Sequence, residues 1–146
     1  MQEDKTNELV EMMFKVSRLM KEEMSYTNNL IHLSILQIQT LIFLSQNKKV
    51  SMGDIAGYFR IELSSATSLL NKLCDQGLVQ RHEDKEDRRL VMITLTDKGK
   101  TLLKQAISHR RIKLEKMLSY LSQREKSELL NILKTLNNRL QRQDEK

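Results

Sequence analysis

The sequence predicts a mainly α-helical chain carrying one small β-hairpin, and three observations predict it. Apolar residues recur at helical spacing over most of the 146 residues; proline is absent; and aromatics make up only 4%, so that leucine, isoleucine and eight methionines supply the apolar mass. Only between Leu78 and Gly99 does the pattern shorten to strand-like segments, which flank the charged turn Glu83-Asp84-Lys85-Glu86-Asp87-Arg88-Arg89. The length suits one unit spanning 1–146 with a real core. A single cysteine, Cys74, rules out an internal disulfide framework, and no apolar leader or bilayer-length run is visible. A cytoplasmic protein without membrane association is the expectation.

The elements follow in order. Leu9, Met12/Met13, Val16, Leu19/Met20 and Met24 recur at i, i+3/i+4, i+7 and predict an amphipathic helix over about Thr6 to Tyr26, ended by Thr27-Asn28-Asn29. Ser34-Ile35-Leu36-Gln37 is a capping-box pattern, since the Ser hydroxyl and the Gln side chain can each satisfy the other's orphan amide. The helix it opens runs to about Ser45 and is apolar on several sides, so it should be central. Ser51 is the N-cap of a short helix ending near Phe59, with Asp54 at the third helical position and Val50/Ile55 as a hydrophobic staple. The turn 60–63 then delivers Ser64 as the next N-cap. Ala66, Leu69, Leu70 and Leu73 form its inward stripe, while Ser65, Thr67, Ser68, Asn71 and Lys72 face the other way.

Gly77 fits the left-handed position that closes this helix. In the second strand Val91, Ile93 and Leu95 alternate with Leu90, Met92 and Thr94, and Asp87 and Arg89 fall on one face two residues apart. Thr96 can cap a long helix holding Leu102/Leu103, Ala106/Ile107, Leu114, Met117/Leu118 and Leu121. Ser122-Gln123-Arg124-Glu125 is another capping box, opening a last helix with Leu129, Ile132/Leu133, Leu136 and Leu140 in one stripe. These terminal helices exceed what a small core needs, and pairing of two copies would bury the surplus.

Short helix, turn, helix and basic-tipped hairpin are the parts of a winged helix-turn-helix, here over 34–99. Small polar side chains with one cation near a helix N-terminus suit a major groove; in isolation the same face is an ordinary solvated one. The residues expected at DNA are Ser64, Ser65, Thr67, Ser68, Asn71 and Lys72 on the reading helix. Lys85, Asp87, Arg88 and Arg89 follow on the wing, with Ser51 at a backbone phosphate. Asp87 can pre-orient Arg89 for phosphate or a narrow minor groove, or the two form a surface ion pair of little worth. Glu83, Asp84 and Glu86 would repel phosphate unless they point away. The net charge of +6 does not settle the matter: twelve basic against five acidic groups lie in 100–146, whereas 80–99 is balanced at five each.

Asp87-x-Arg89, five residues, Leu95-Thr96 and then Gly99, with Arg88 doubling the arginine, resembles the wing signature of the MarR family of bacterial winged-helix transcriptional regulators. Leu33-Ser34-x-x-Gln37-x-x-x-Leu41, Asp54-Ile55-Ala56, Ser64 to Leu73 and Gly77-Leu78-Val79-x-Arg81 agree in order and spacing, so the resemblance spans nearly the whole chain. It implies a homodimer joined through 1–30 and 100–146, palindromic duplex DNA as partner, the 64–76 helix in the major groove and Arg89 in the minor groove. It also implies a repressor released by a small-molecule effector, by oxidation or by metal. Cysteine-based sensing is disfavoured because peroxide-sensing members of the family place their reactive cysteine in the N-terminal helix, where the only sulfur-bearing residues here are methionines, and Cys74 sits on an inward stripe. His32 and His109 could approach one another in a dimer, yet two isolated histidines make no metal set, and neither metal nor cofactor is expected. Without a phosphate loop, metal-hydrolase helix or nucleophile elbow, an enzyme is not expected either. The competing function is a winged-helix protein-interaction module.

Overall fold

Three local devices start the helices, and each is an i to i+3 exchange of hydrogen bonds. The computed structural model describes residues 2–28 and 31–144. Its elements are α1 (Gln2–Met24), β1 (Tyr26–Thr27), β2 (His32–Leu33), α2 (Ile35–Gln46), α3 (Met52–Phe59), α4 (Leu63–Asp75), β3 (Val79–Glu83), β4 (Val91–Leu95), α5 (Asp97–Leu118) and α6 (Gln123–Asp144). At α2, Gln37 N–H donates to Ser34 Oγ (3.3 Å) and Ser34 N–H to Gln37 Oε1 (2.9 Å). The expected box at Ser122/Glu125 closes in the same way, and so does Ser51, expected as an N-cap, with Asp54.

Hydrogen bonds from the backbone and hydroxyl of Ser51 hold the Asp54 carboxyl below its usual range, and those of Ser122 do the same for Glu125. A lowered folded pKa means stability that is present above the ordinary value of about 4 and is lost as pH falls through the lowered one. In an NMR carboxyl titration, Asp54 and Glu125 are therefore expected to stay ionised below that ordinary value. Titration of either at or above it would remove the cap.

The chain forms two compact units, Met1–Arg110 and Arg111–Lys146, dividing within α5. In the first, the core gathers Ile38 and Leu41 of α2, Ile55 of α3, Ala66, Leu70 and Leu73 of α4, Leu78 and Ile93 of the hairpin, and Leu102, Leu103 and Ala106 of α5. A fully buried leucine of this kind is worth roughly 1.5–3 kcal/mol. Thus α2 is central, as its all-round apolar sequence requires. In the second unit, Leu133, Leu136 and Leu140 of α6 are exposed.

Several boundaries depart from the sequence reading. Helix α1 starts at Gln2 and stops at Met24, because Tyr26 is drawn into an antiparallel pair with Leu33 and is buried there. Asn28 turns this small hairpin by accepting from Ile31 N–H at 2.7 Å; Asn29, expected in the same break, lies outside the described residues. Ser64 is not an N-cap. The cap of α4 is Glu62, without a side-chain bond, so Ser64 sits inside the first turn. The reason lies upstream: Arg60 closes α3 in the left-handed region (φ 51°), with Arg60 N–H donating to Gly57 O and Ile61 N–H to Ala56 O. That reversal brings the chain round early.

Gly77, at φ 72°, closes α4 as expected, its N–H donating to Cys74 O while Leu78 N–H donates to Leu73 O. Strands β3 and β4 pair antiparallel from Val79 opposite Leu95 to Glu83 opposite Val91. The expected alternation in β4 holds only at its base. Ile93 and Leu95 are buried, but so is Met92, and Val91 near the tip is half exposed. Met92 is covered because the α2–α3 connector runs alongside: Ile93 N–H donates to Val50 O at 2.8 Å and Ser51 bridges to Met92. Asp87 and Arg89 precede β4 and belong to the turn, not to a strand face.

Thr96 laces the hairpin base to both flanking helices. Its hydroxyl donates to Gly77 O (2.6 Å) and accepts from Gly99 N–H (3.0 Å), capping α5. Among the described residues, no helix is long and apolar enough to cross a membrane.

Candidate nucleic-acid interface

The inward stripe of α4 fixes what its other face presents. With Ala66, Leu69, Leu70 and Leu73 buried, Ser64, Ser65, Ser68, Asn71 and Lys72 are left exposed. Thr67 differs: it is half-buried and its hydroxyl donates back to Leu63 O at 2.8 Å. The Asn71 amide oxygen is also engaged, accepting from Arg81 Nη2 at 2.7 Å. Arg81 is thereby held beside the outward face of α4, a placement that sequence reasoning missed. Its position in β3 was readable; its reach across to α4 was not, because a contact ten residues apart in chain depends on how helix and strand meet.

On the wing, Lys85, Arg88 and Arg89 are exposed. Arg89 has 92% of its side chain free yet is not loose, since its N–H and its Nε both donate to Asp87 Oδ1, at 3.0 and 3.3 Å. An aimed guanidinium of this kind can enter a groove or fork onto a phosphate with less ordering entropy to lose. Asp84 turns inward. It is buried, and its Oδ1 accepts the N–H groups of Glu86 (2.7 Å) and Asp87 (3.1 Å), which holds its carboxyl below the usual range. This acid builds the turn.

Ser51 is less free than its place at a helix start suggests. Its N–H and its hydroxyl both donate to Asp54 Oδ2 at 2.7 Å, so a phosphate there would meet an ionised carboxylate. A cavity of about 740 Å3 opens beside α4, lined by His32, Ser34, Gln37, Ser65, Ser68 and Lys72 among others. His32 Nδ1 lies 2.6 Å from Thr27 Oγ1, and His109 meets Tyr26 edge-on at 5.5 Å. Among the described residues there is no cluster of three or more metal-ligating side chains. Cys74 is half-buried and packed against the core.

The chain is similar to known proteins. The profile described as MarR family matches residues 33–90. The uncharacterized HTH-type transcriptional regulator YfiV of Bacillus subtilis (strain 168) is 31% identical over 111 residues, covering 76% of this chain and 69% of YfiV. Two solved structures extend the likeness. The transcriptional regulator BldR from Sulfolobus solfataricus superposes with a TM-score of 0.69 at 28% identity, over 97% of this chain and 99% of that one. A MarR family protein from Bacillus stearothermophilus gives 0.79 at 24% identity over the same shares, a likeness of fold. The kinship with YfiV extends over more than two thirds of both sequences and includes the helices and wing just described; the chain belongs to the MarR family of transcriptional regulators.

Proposed function

We propose that this protein is a cytoplasmic, homodimeric repressor that reads a palindromic duplex operator and is released by a small-molecule effector. One observation carries the reading: an exposed arginine, Arg89, aimed by Asp87 on a wing whose fold also supports a helix with a small, polar outward face. Ser65, Ser68 and Lys72 are the base-reading candidates of α4, Asn71 acts with Arg81, and Lys85 and Arg88 meet phosphate. Ser64 and Thr67 border the contact, and Ser51 is its weakest member because its hydroxyl is committed to Asp54.

Dimerisation through 1–30 and 100–146 is supported by apolar side chains with nothing over them. In the first unit these are Leu9, Met13 and Phe14 of α1, each about two-thirds exposed; in the second, the α6 leucines. A two-fold dimer sets half-sites about 10 base pairs apart or a multiple of that. The cavity beside Lys72 and Ser68 supports an effector, since a ligand there would share residues with the DNA contact.

Selection from a random duplex pool at defined salt tests the proposal. An inverted repeat should emerge, and its affinity should fall steeply with salt. Substituting Ser65, Ser68 or Lys72 should then change base preference, each good contact discriminating by roughly 1–3 kcal/mol. Recovery of no sequence would favour a protein-interaction module instead.

A further inference from the structure

The wing tip has an electrostatic problem. Residues 83–89 hold four acids, Glu83, Asp84, Glu86 and Asp87, against three bases, Lys85, Arg88 and Arg89, so the element expected to meet phosphate carries a net negative charge by itself. Asp87 is taken up by Arg89. Two more acids are answered from outside the hairpin, by one residue of the α2–α3 connector: Lys49 Nζ lies 2.8 Å from Glu86 Oε2 and 3.4 Å from Asp84 Oδ2.

These contacts join into a relay. Lys49 holds one oxygen of Asp84, the other oxygen of Asp84 holds the N–H groups of Glu86 and Asp87, and Asp87 holds the N–H and Nε of Arg89. The relay begins where the connector already runs beside β4, one residue before the bond from Ile93 N–H to Val50 O. We propose that Lys49 is a positioning residue for DNA binding: it cancels the acidic flank of the wing and ties the turn that presents Arg89 to the helix-turn-helix body. The inference rests on the DNA reading above.

Folding energy is not its business. The Lys49–Glu86 pair opens to water, at 62% and 83% exposure, and such pairs contribute little to stability; the Asp84 carboxylate is buried, but the N–H groups of Glu86 and Asp87 hold its charge without Lys49. The value of the tether lies in where the wing sits and in what charge it shows, and these can be measured apart from stability.

The test compares Lys49→Met, which keeps the aliphatic stem, with Lys49→Arg, which keeps the charge, each alone and combined with Arg89→Ala. Binding is measured on the selected operator duplex, and amide exchange over 84–90 on the free protein. Lys49→Met should weaken binding roughly tenfold, speed exchange at Glu86 and Asp87, and leave the thermal midpoint within about 2 °C. Lys49→Arg should bind within about twofold of wild type, and Arg89→Ala should cost less in the Lys49→Met background, because coupled residues are not additive. Unchanged exchange in Lys49→Met overturns the tether. Losses that multiply independently also overturn it, since they would make Lys49 a separate phosphate contact. Failure of the wild type to bind any duplex sinks the DNA reading and with it the purpose assigned here, whereas the exchange arm still reports on the tether alone.

Discussion

Gly99→Ala is expected to destabilise the first unit by roughly 2–4 kcal/mol, the size of a severe overpacking defect. Gly99 lies in the first turn of α5, where alanine would ordinarily be the better helix former by about 1 kcal/mol. Here a Cβ would run into the carbonyl oxygen of Leu78, with the Leu78 carbonyl carbon and Cα close behind. No flexible side-chain end can move aside. The obstacle is backbone, its oxygen already accepts from Thr96 N–H at 3.1 Å, and the Leu78 side chain is fully buried. Relief would require shifting the base of the hairpin away from α5, breaking the Thr96 bonds that join them. Gly57→Ala is the matched control: Gly57 is exposed in α3 with nothing near its missing Cβ, so that change should be neutral or stabilise by up to about 1 kcal/mol. Urea unfolding followed by circular dichroism at one protein concentration decides the pair. A Gly99→Ala protein as stable as wild type would show that the hairpin base yields to the added Cβ without cost.

Arg89→Ala should have the largest effect on DNA affinity, a loss of tenfold to about a hundredfold, corresponding to roughly 1–3 kcal/mol for one well-placed charged contact. Because the side chain is 92% exposed and bonded only within its own turn, folding should be indifferent to the change. The salt dependence should discriminate further. If Arg89 neutralises a phosphate or sits in the field of a narrow groove, the slope of log affinity against log salt should fall by about one. Asp87→Asn, which keeps an acceptor but removes the charge that aims Arg89, should lose less than Arg89→Ala. Wild-type affinity and slope in Arg89→Ala would remove the wing arginine from the interface.

Much of the architecture was legible because it is written in short-range chemistry. The boxes at Ser34, Ser51 and Ser122 join residues three apart, so their side chains meet as soon as the helix forms, whatever surrounds it. The inward stripe of α4 and the glycine at its end are equally local. Ser64 shows the limit: it has the right residue type for a cap, but Arg60 in a left-handed conformation turned the chain two residues earlier. The β1–β2 pair leaves no mark in the sequence because two-residue strands carry no periodicity. In the candidate site, the Asp87–Arg89 contact was readable at a spacing of two, whereas Arg81 on Asn71 and Lys49 on the wing acids were not.

By itself, then, the sequence determined most of the helices and the hairpin, the inward stripe of α4, and that Asp87 and Arg89 stand close enough to pair. Only the tertiary structure decided where those pieces meet: Gly99 against Leu78, Lys49 between Asp84 and Glu86, Arg81 beside the reading helix. The physical reason is range. Caps, stripes and two-residue turns are set by backbone geometry over a few residues, while a contact between residues 10, 21 or 37 positions apart exists only after the core has fixed the distance between the elements that carry them.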